Sequence, residues 1–132
     1  MISSIRFRKP IFTISFHRNK PFLAVGTSRG SVFLYFLDHD ANYAKKLFKI
    51  KVYGLSVRNV AFSPSEIECI ATNSGGNMSL FDLETRNFTW KTEFPDKSSR
   101  GISSVCFVDQ NSIVSGSDNG LLQVFLLFII YI

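Results

Sequence analysis

Three stretches of this chain echo one another at a nearly constant interval, and that periodicity restricts the fold more than any other feature. They are "IFTISFHRNKPFLAVGTSRGSVFLYFLD" (residues 11–38), "VRNVAFSPSEIECIATNSGGNMSLFDLE" (57–84) and "GISSVCFVDQNSIVSGSDNGLLQVFL" (101–126). Each begins with an apolar pair at alternating positions, Ile14/Phe16, Val60/Phe62 and Val105/Phe107, as in a strand with one buried face. A second apolar run follows ("FLAVGT", "CIATNS", "SIVSGS"), then a tight turn carrying Gly30, Gly76 or Gly120. A third run ends in an aromatic at Tyr35, Phe81 or Phe125. The phenylalanines stand 46 and 45 residues apart and the turn glycines 46 and 44. Two independent landmarks kept in step are not a chance pattern.

Between the repeats lies a fourth alternating run, "KKLFKIK" after the first and "NFTWKTE" after the second, each expected to be an exposed strand. The unit is therefore four short strands in roughly 45 residues, with glycine where the backbone must turn sharply, which is the pattern of a β-propeller blade. No long stripe of period 3.6 is present. The expected fold is all-β, with an N-terminal strand or arm over 1–10, blade one over 11–51 and blade two over 52–93. A partial third blade over 94–126, lacking its outer strand, and an atypical apolar tail over 127–132 complete the division.

Composition narrows the class further. Hydrophobic residues make up 45% of 132, ordinary for one globular domain, so disorder is not expected. Fourteen phenylalanines against one tryptophan favour half-buried strands. Cys69 and Cys106 are too few and too far apart for a zinc site or a redox pair; both lie in apolar runs and read as buried free thiols in a reducing compartment. "MISSIRFRKP" lacks the apolar stretch of a secretory signal. The net charge of +5 is unevenly spread: 11 Lys/Arg against 2 Asp/Glu up to Arg58, then 4 against 8. The basic half can attract an anionic partner such as RNA.

The elements "VAFSP", "IATNSGG", "LFDLE" and "VSGSDNGLLQVF" resemble blades of the WD-repeat family. Phe81-Asp82 is the nearest match to that family's closing Trp-Asp; Tyr35-Phe36 and Phe125-Leu126 keep the aromatic alone. The family's network joins a histidine before the first strand to an aspartate in the turn between the second and third strands. Here those turn positions are Arg29, Gly75 and Asn119, and no histidine precedes a first strand, so the network is expected to be replaced and aromatic packing to matter more. A narrower likeness, over residues 10–125, is to the WD-repeat protein 55 family. It is carried by "LFKIKVYGLSVRNVAFS", above all Gly54, Ser56 and Arg58, with "ISFHRNKPFLAVGTSRGSVFLY" and "ISSVCFVDQNSIVSGSDNG". That resemblance implies a protein-interaction scaffold in large ribosomal subunit biogenesis and rRNA processing, in the nucleus and nucleolus, with assembly factors or pre-ribosomal particles as partners.

In this frame "LLQVF" is expected to be the third strand of the third blade, and the apolar run to Ile132 is expected to be a cut end. At about 12 residues it is short of the roughly 20 a membrane-spanning helix needs, so no membrane is expected. Propellers close with about 4–8 blades; three would leave two sheet faces bare, each on the order of several hundred Å². Three accounts stand: a truncated product, completion of the ring by a second copy or a partner, or "SIRFR" supplying an outer strand. Closure after three blades would demand excessive curvature, which counts against the last.

Catalysis needs a nucleophile–base pair, paired carboxylates or a metal set converging in a pocket, and none is legible. His17 and His39 stand in polar loops, and "TNSGGN" lacks the lysine and helix of a phosphate loop. No enzyme activity, cofactor or metal is expected. The loops before the first strand and between the second and third share one propeller face, which places Arg29, Arg58 and Arg100 together there, with Lys9 and Ser56 nearby. Guanidinium groups on such a rim could grip RNA phosphates or an acidic peptide; Arg58, at the start of a core strand, could instead be held structurally. Arg18 and Lys20 fall on the opposite face. The alternatives are a substrate receptor of a ubiquitin ligase, against which stands Glu84 where such receptors carry arginine, or an inactive propeller fragment.

Overall fold

The computed structural model describes residues 4–38, 43–52, 55–92 and 101–127. Within them the chain is all-β, built from three antiparallel sheets with no helix. The first sheet holds β1 (Ile11–Phe16), β2 (Phe22–Thr27), β3 (Ser31–Asp38) and β4 (Tyr43–Lys51), in that order. The second repeats the meander with β5 (Val57–Phe62), β6 (Glu68–Asn73), β7 (Met78–Asp82) and β8 (Phe88–Lys91). The third contains β9 (Ile102–Asp109), β10 (Ser112–Ser117) and β11 (Leu122–Leu126). The innermost strands run side by side, β5 between β1 and β9, so the sheets stand as adjacent propeller blades. No sheet closes into a barrel.

The expected turn glycines all take left-handed backbone, with φ of 79° at Gly30, 88° at Gly76 and 84° at Gly120. In each turn the glycine amide donates to the carbonyl three residues earlier, on Thr27, Asn73 and Ser117. An L side chain disfavours that region by about 1–2 kcal/mol, which is why glycine recurs there.

Two apolar layers hold the blades together. Between sheets one and two, Ala24, Val32, Leu34, Phe48 and Ile50 meet Val57, Val60, Cys69, Ala71 and Phe81. Between sheets two and three, Ile70, Met78 and Leu80 meet Ile102, Val105 and Ile113, with Trp90 and Phe125 edge to face at 5.7 Å. Sheet two is thus covered on both faces, and β6 is buried from Cys69 to Asn73. Each large side chain so enclosed contributes about 1.5–3 kcal/mol. Both fourth runs expected to be exposed strands bury one face: Phe48 and Ile50 are buried, and Phe88 and Trp90 half-buried.

A backbone link recurs at one rim of the three blades. Ser28 N donates to Pro10 O (3.0 Å), Ser74 N to Ser56 O (2.9 Å) and Asp118 N to Gly101 O (2.9 Å). A matching set closes the opposite rim, from Leu37 to Pro21, Leu83 to Ile67 and Leu127 to Asn111. Residues 128–132, most of the apolar tail, lie outside the described residues. No helix among those described is long and apolar enough to cross a membrane.

One expectation needs correction. Cys106 is exposed, while Cys69 is buried: position 106 falls on the side of β9 turned away from sheet two. Of the two forms allowed for the N-terminal segment, the structure shows an arm: "SIRFR" forms no strand and folds against blade one, where Phe7 packs edge-on to Phe33 and Tyr35 at 5.2 and 5.7 Å.

Candidate functional site

That arm creates a strongly basic cleft among the described residues. It crosses the face of sheet one that looks away from sheet two and encloses a cleft of about 520 Å³. Phe7, Phe33 and Tyr35 form the floor. Arg6, Arg8 and Lys9 come from the arm, Arg29 from the β2–β3 turn, and Lys46, Lys49 and Lys51 from β4. Among the described residues no carboxylate lines it.

A β-bulge puts the three lysines on one face. Leu34 pairs with Phe48, but the next residue, Tyr35, pairs with Lys46, so Leu47 is an extra residue in the outer strand. Leu47 and Phe48 both turn towards sheet two, and Lys46, Lys49 and Lys51 all face the cleft. The ammonium groups of Lys46 and Lys49 stand 5.4 and 5.5 Å from the centre of the same Phe33 ring. The negative ring face offsets part of their repulsion. Burial pushes the Tyr35 hydroxyl above its ordinary titration range, so it stays a neutral phenol among the cations.

A second hollow, of about 380 Å³, opens at the start of the inner strands and is lined by Phe12, Ser56, Arg58 and Ser103. Its origin is again a bulge, repeated in every blade. Ile11 and Thr13 pair with the successive residues Thr27 and Gly26. Val57 and Asn59 pair with Asn73 and Thr72, and Ile102 and Ser104 with Ser117 and Gly116. The residue skipped each time is Phe12, Arg58 or Ser103, and bulges of this kind re-aim a side chain.

The rim expected from the sequence is therefore divided. Lys9 and Arg29 meet in the basic cleft, whereas Ser56 and Arg58 belong to the second hollow. The Ser56 hydroxyl donates to Ser28 O at 3.1 Å, tying blade two to the first β2–β3 turn. Arg58 lies 3.9 Å from the Asp118 carboxylate of blade three, with both side chains over a third exposed. Such a pair is screened by solvent and contributes little. Arg100 lies outside the described residues. Arg18, on the opposite rim, lines a third hollow with Ser63, Pro64 and Glu66.

The sequence reading missed the clasp made by His17, which is buried between blades one and two. Its Nδ1 accepts from the amides of Asn19 and Lys20 at 3.3 and 3.1 Å, so Nε2 carries the proton and donates to Glu66 O at 3.1 Å. The ring meets Phe22 and Phe62 edge to face at 5.4 and 5.2 Å. Glu66 reaches this position with a φ of 66°. The clasp is structural and presents no open face to a substrate. Nor did the sequence show Arg6, Arg8 and the β4 lysines as parts of one cleft with Lys9 and Arg29.

No family profile matches the chain. Among curated proteins it is similar to WD repeat-containing protein 55 of Danio rerio, with 24% identity over 120 residues, 91% of this chain and 30% of that protein. It is similar also to WD repeat-containing protein 55 of Mus musculus, 26% identical over 111 residues, 84% of this chain and 28% of that protein. The chain spans less than a third of the length of either relative. Identities at this level support a WD-repeat relationship, in agreement with the repeated four-stranded sheets.

Proposed function

We propose that this chain supplies blades to a non-catalytic interaction scaffold of the WD-repeat kind, acting in assembly of the large ribosomal subunit in the nucleus and nucleolus. Its partners are proteins and pre-ribosomal particles, and the basic cleft of blade one is the docking site for an anionic partner. The observation that carries this reading is the cleft itself: seven cations around an aromatic floor with no carboxylate among the described lining residues. Such a surface binds and orients a partner, and it lacks the convergent acid, base and nucleophile that covalent chemistry requires. The ribosomal assignment is supported by the similarity to WD repeat-containing protein 55. On this reading blades one and two occupy 11–51 and 52–93, the partial third 94–126, and further blades or a second copy continue the ring.

Co-sedimentation of the tagged chain through a sucrose gradient of nuclear extract tests the proposal. Migration with large-subunit precursors is expected, lost when Lys46, Lys49 and Lys51 are all changed to Gln. Recovery of ubiquitin-ligase subunits without ribosomal proteins would instead overturn it in favour of a substrate receptor.

A further inference from the structure

We propose that the cleft between the arm and β4 binds single-stranded RNA, with the phosphate backbone tracking the cations of the arm and β4 and bases resting on the aromatic floor. The inference rests on the cleft being the docking site and adds the chemical class of what docks.

The first argument is electrostatic. Like charges confined to one trough repel, and two of them, Lys46 and Lys49, already share a single ring. A single small anion cannot satisfy them all. The lysines alone extend from residue 46 to 51, about 15 Å at the rise of a β-strand, and Arg6, Arg8 and Lys9 run along the other wall. A linear polyanion matches cations spread over the arm, the β2–β3 turn and β4, where a compact anion matches one corner.

The second argument separates nucleic acid from an acidic peptide. A carboxylate-rich peptide needs cations alone, whereas here the cations are interleaved with aromatic rings. Phe7 and Phe33 pack edge to face at 74° and are only half-buried, so each keeps aromatic surface at the trough. Aromatic platforms beside a basic track are the means by which single strands are held without sequence preference. A volume of 520 Å³ accommodates one or two nucleotides at a time, with the strand continuing over both ends. A duplex, whose bases are already stacked, could reach the rim and not the floor.

Fluorescence anisotropy of the intact 132-residue chain with a labelled oligouridylate of ten nucleotides, between 50 and 200 mM salt, tests the idea. Each phosphate contact on a single strand contributes about −0.7 to the slope of log K against log salt, so four or five contacts give about −3. Lys46→Gln with Lys49→Gln should flatten the slope by about 1.4, whereas Lys20→Gln, on the opposite rim, should leave it unchanged. Phe7→Leu should weaken binding several-fold at constant slope, because it removes stacking and keeps the cations. Circular dichroism and thermal melting establish that each variant is folded. Binding of poly-glutamate in preference to the oligonucleotide, abolished by the lysine pair, would overturn the RNA assignment and leave the docking site standing. Binding of neither probe at 50 mM salt would overturn both, and equal loss with Lys20→Gln would mean that net charge alone is felt.

Discussion

Two glycines of this chain are needed for different physical reasons, and substitution separates them. Gly120 sits at φ +84° with nothing within 4 Å of where a Cβ would stand, so its requirement is purely conformational. Gly120→Ala should cost about 1 kcal/mol and Gly120→Asn less, since asparagine tolerates the left-handed region. Gly26 has open conformational choice but no room: a Cβ would fall 2.5 Å from Val57 Cγ1 and 2.6 Å from Thr13 Cγ2. Gly26→Ala should therefore force blades one and two apart and cost about 1–3 kcal/mol. Urea denaturation of both variants checks the order, and a larger loss at Gly120 would contradict it. The turn glycine was legible because its cause lies in the local chain. The packing glycine was not, because its cause lies in another blade.

The two thiols differ by environment in the same way. Burial pushes the Cys69 thiol up to about 12, so near neutral pH almost none of it is thiolate, the reactive form. Cys106 is exposed. A thiol reagent at pH 8 should label one equivalent promptly and the second only after denaturant is added. Prompt labelling of both would contradict the enclosure of β6. Both lie in apolar runs, so the sequence made them look alike; the facing of β9 decides otherwise.

Among the elements, the β7–β8 turn shows a closing aspartate put to local use. The Asp82 carboxylate accepts from the amides of Thr85 and Glu84, both at 2.8 Å. Chiefly the Thr85 amide, with the Glu84 amide and Thr85 hydroxyl assisting against slight desolvation, holds its titration below the usual carboxylate value. A group depressed in the folded state adds stability that is full above the unfolded value near 3.9 and is lost as pH falls through the folded value. The amount is small, because solvent screens an exposed group. Asp82→Asn should destabilise the chain at pH 7, with the difference from the parent protein shrinking towards pH 3. A constant difference across that range would place the effect in the amide geometry alone. The strands themselves were readable because alternation reports which face is buried. The bulge at Leu47 left only a faint trace, the adjacent Leu47 and Phe48 that interrupt the alternation of "KKLFKIK", and its pairing with β3 is what identifies the extra residue that gathers Lys46, Lys49 and Lys51. The arm's path was hidden for a related reason. "SIRFR" alternates like a strand, yet its ring partners lie at Phe33 and Tyr35, far along the chain, and they draw it across the sheet instead of along an edge.

For the molecule as a whole, the two outward faces are unequal. That of blade one is covered over its outer half by the arm, leaving Tyr35 8% and Val25 2% exposed. The outward face of blade three has no such cover among the described residues: Val108, Leu122, Val124 and Leu126 are 58–68% exposed. An apolar sheet face beside an edge strand invites pairing with another chain. In a propeller the neighbour that belongs there is another sheet, and stacked sheets generally pack about 10 Å apart. The 132-residue chain on its own should therefore associate with increasing concentration, which sedimentation velocity measures. Leu122→Glu with Val124→Lys puts opposite charges on that face and should shift the chain towards monomer. The thermal midpoint should scarcely change, because neither side chain belongs to the two inter-blade layers. An unchanged sedimentation profile would mean that association proceeds through the inner strand β1, where Phe12, Ile14 and Phe16 are 51–61% exposed. Ile14→Glu then becomes the variant that restores the monomer.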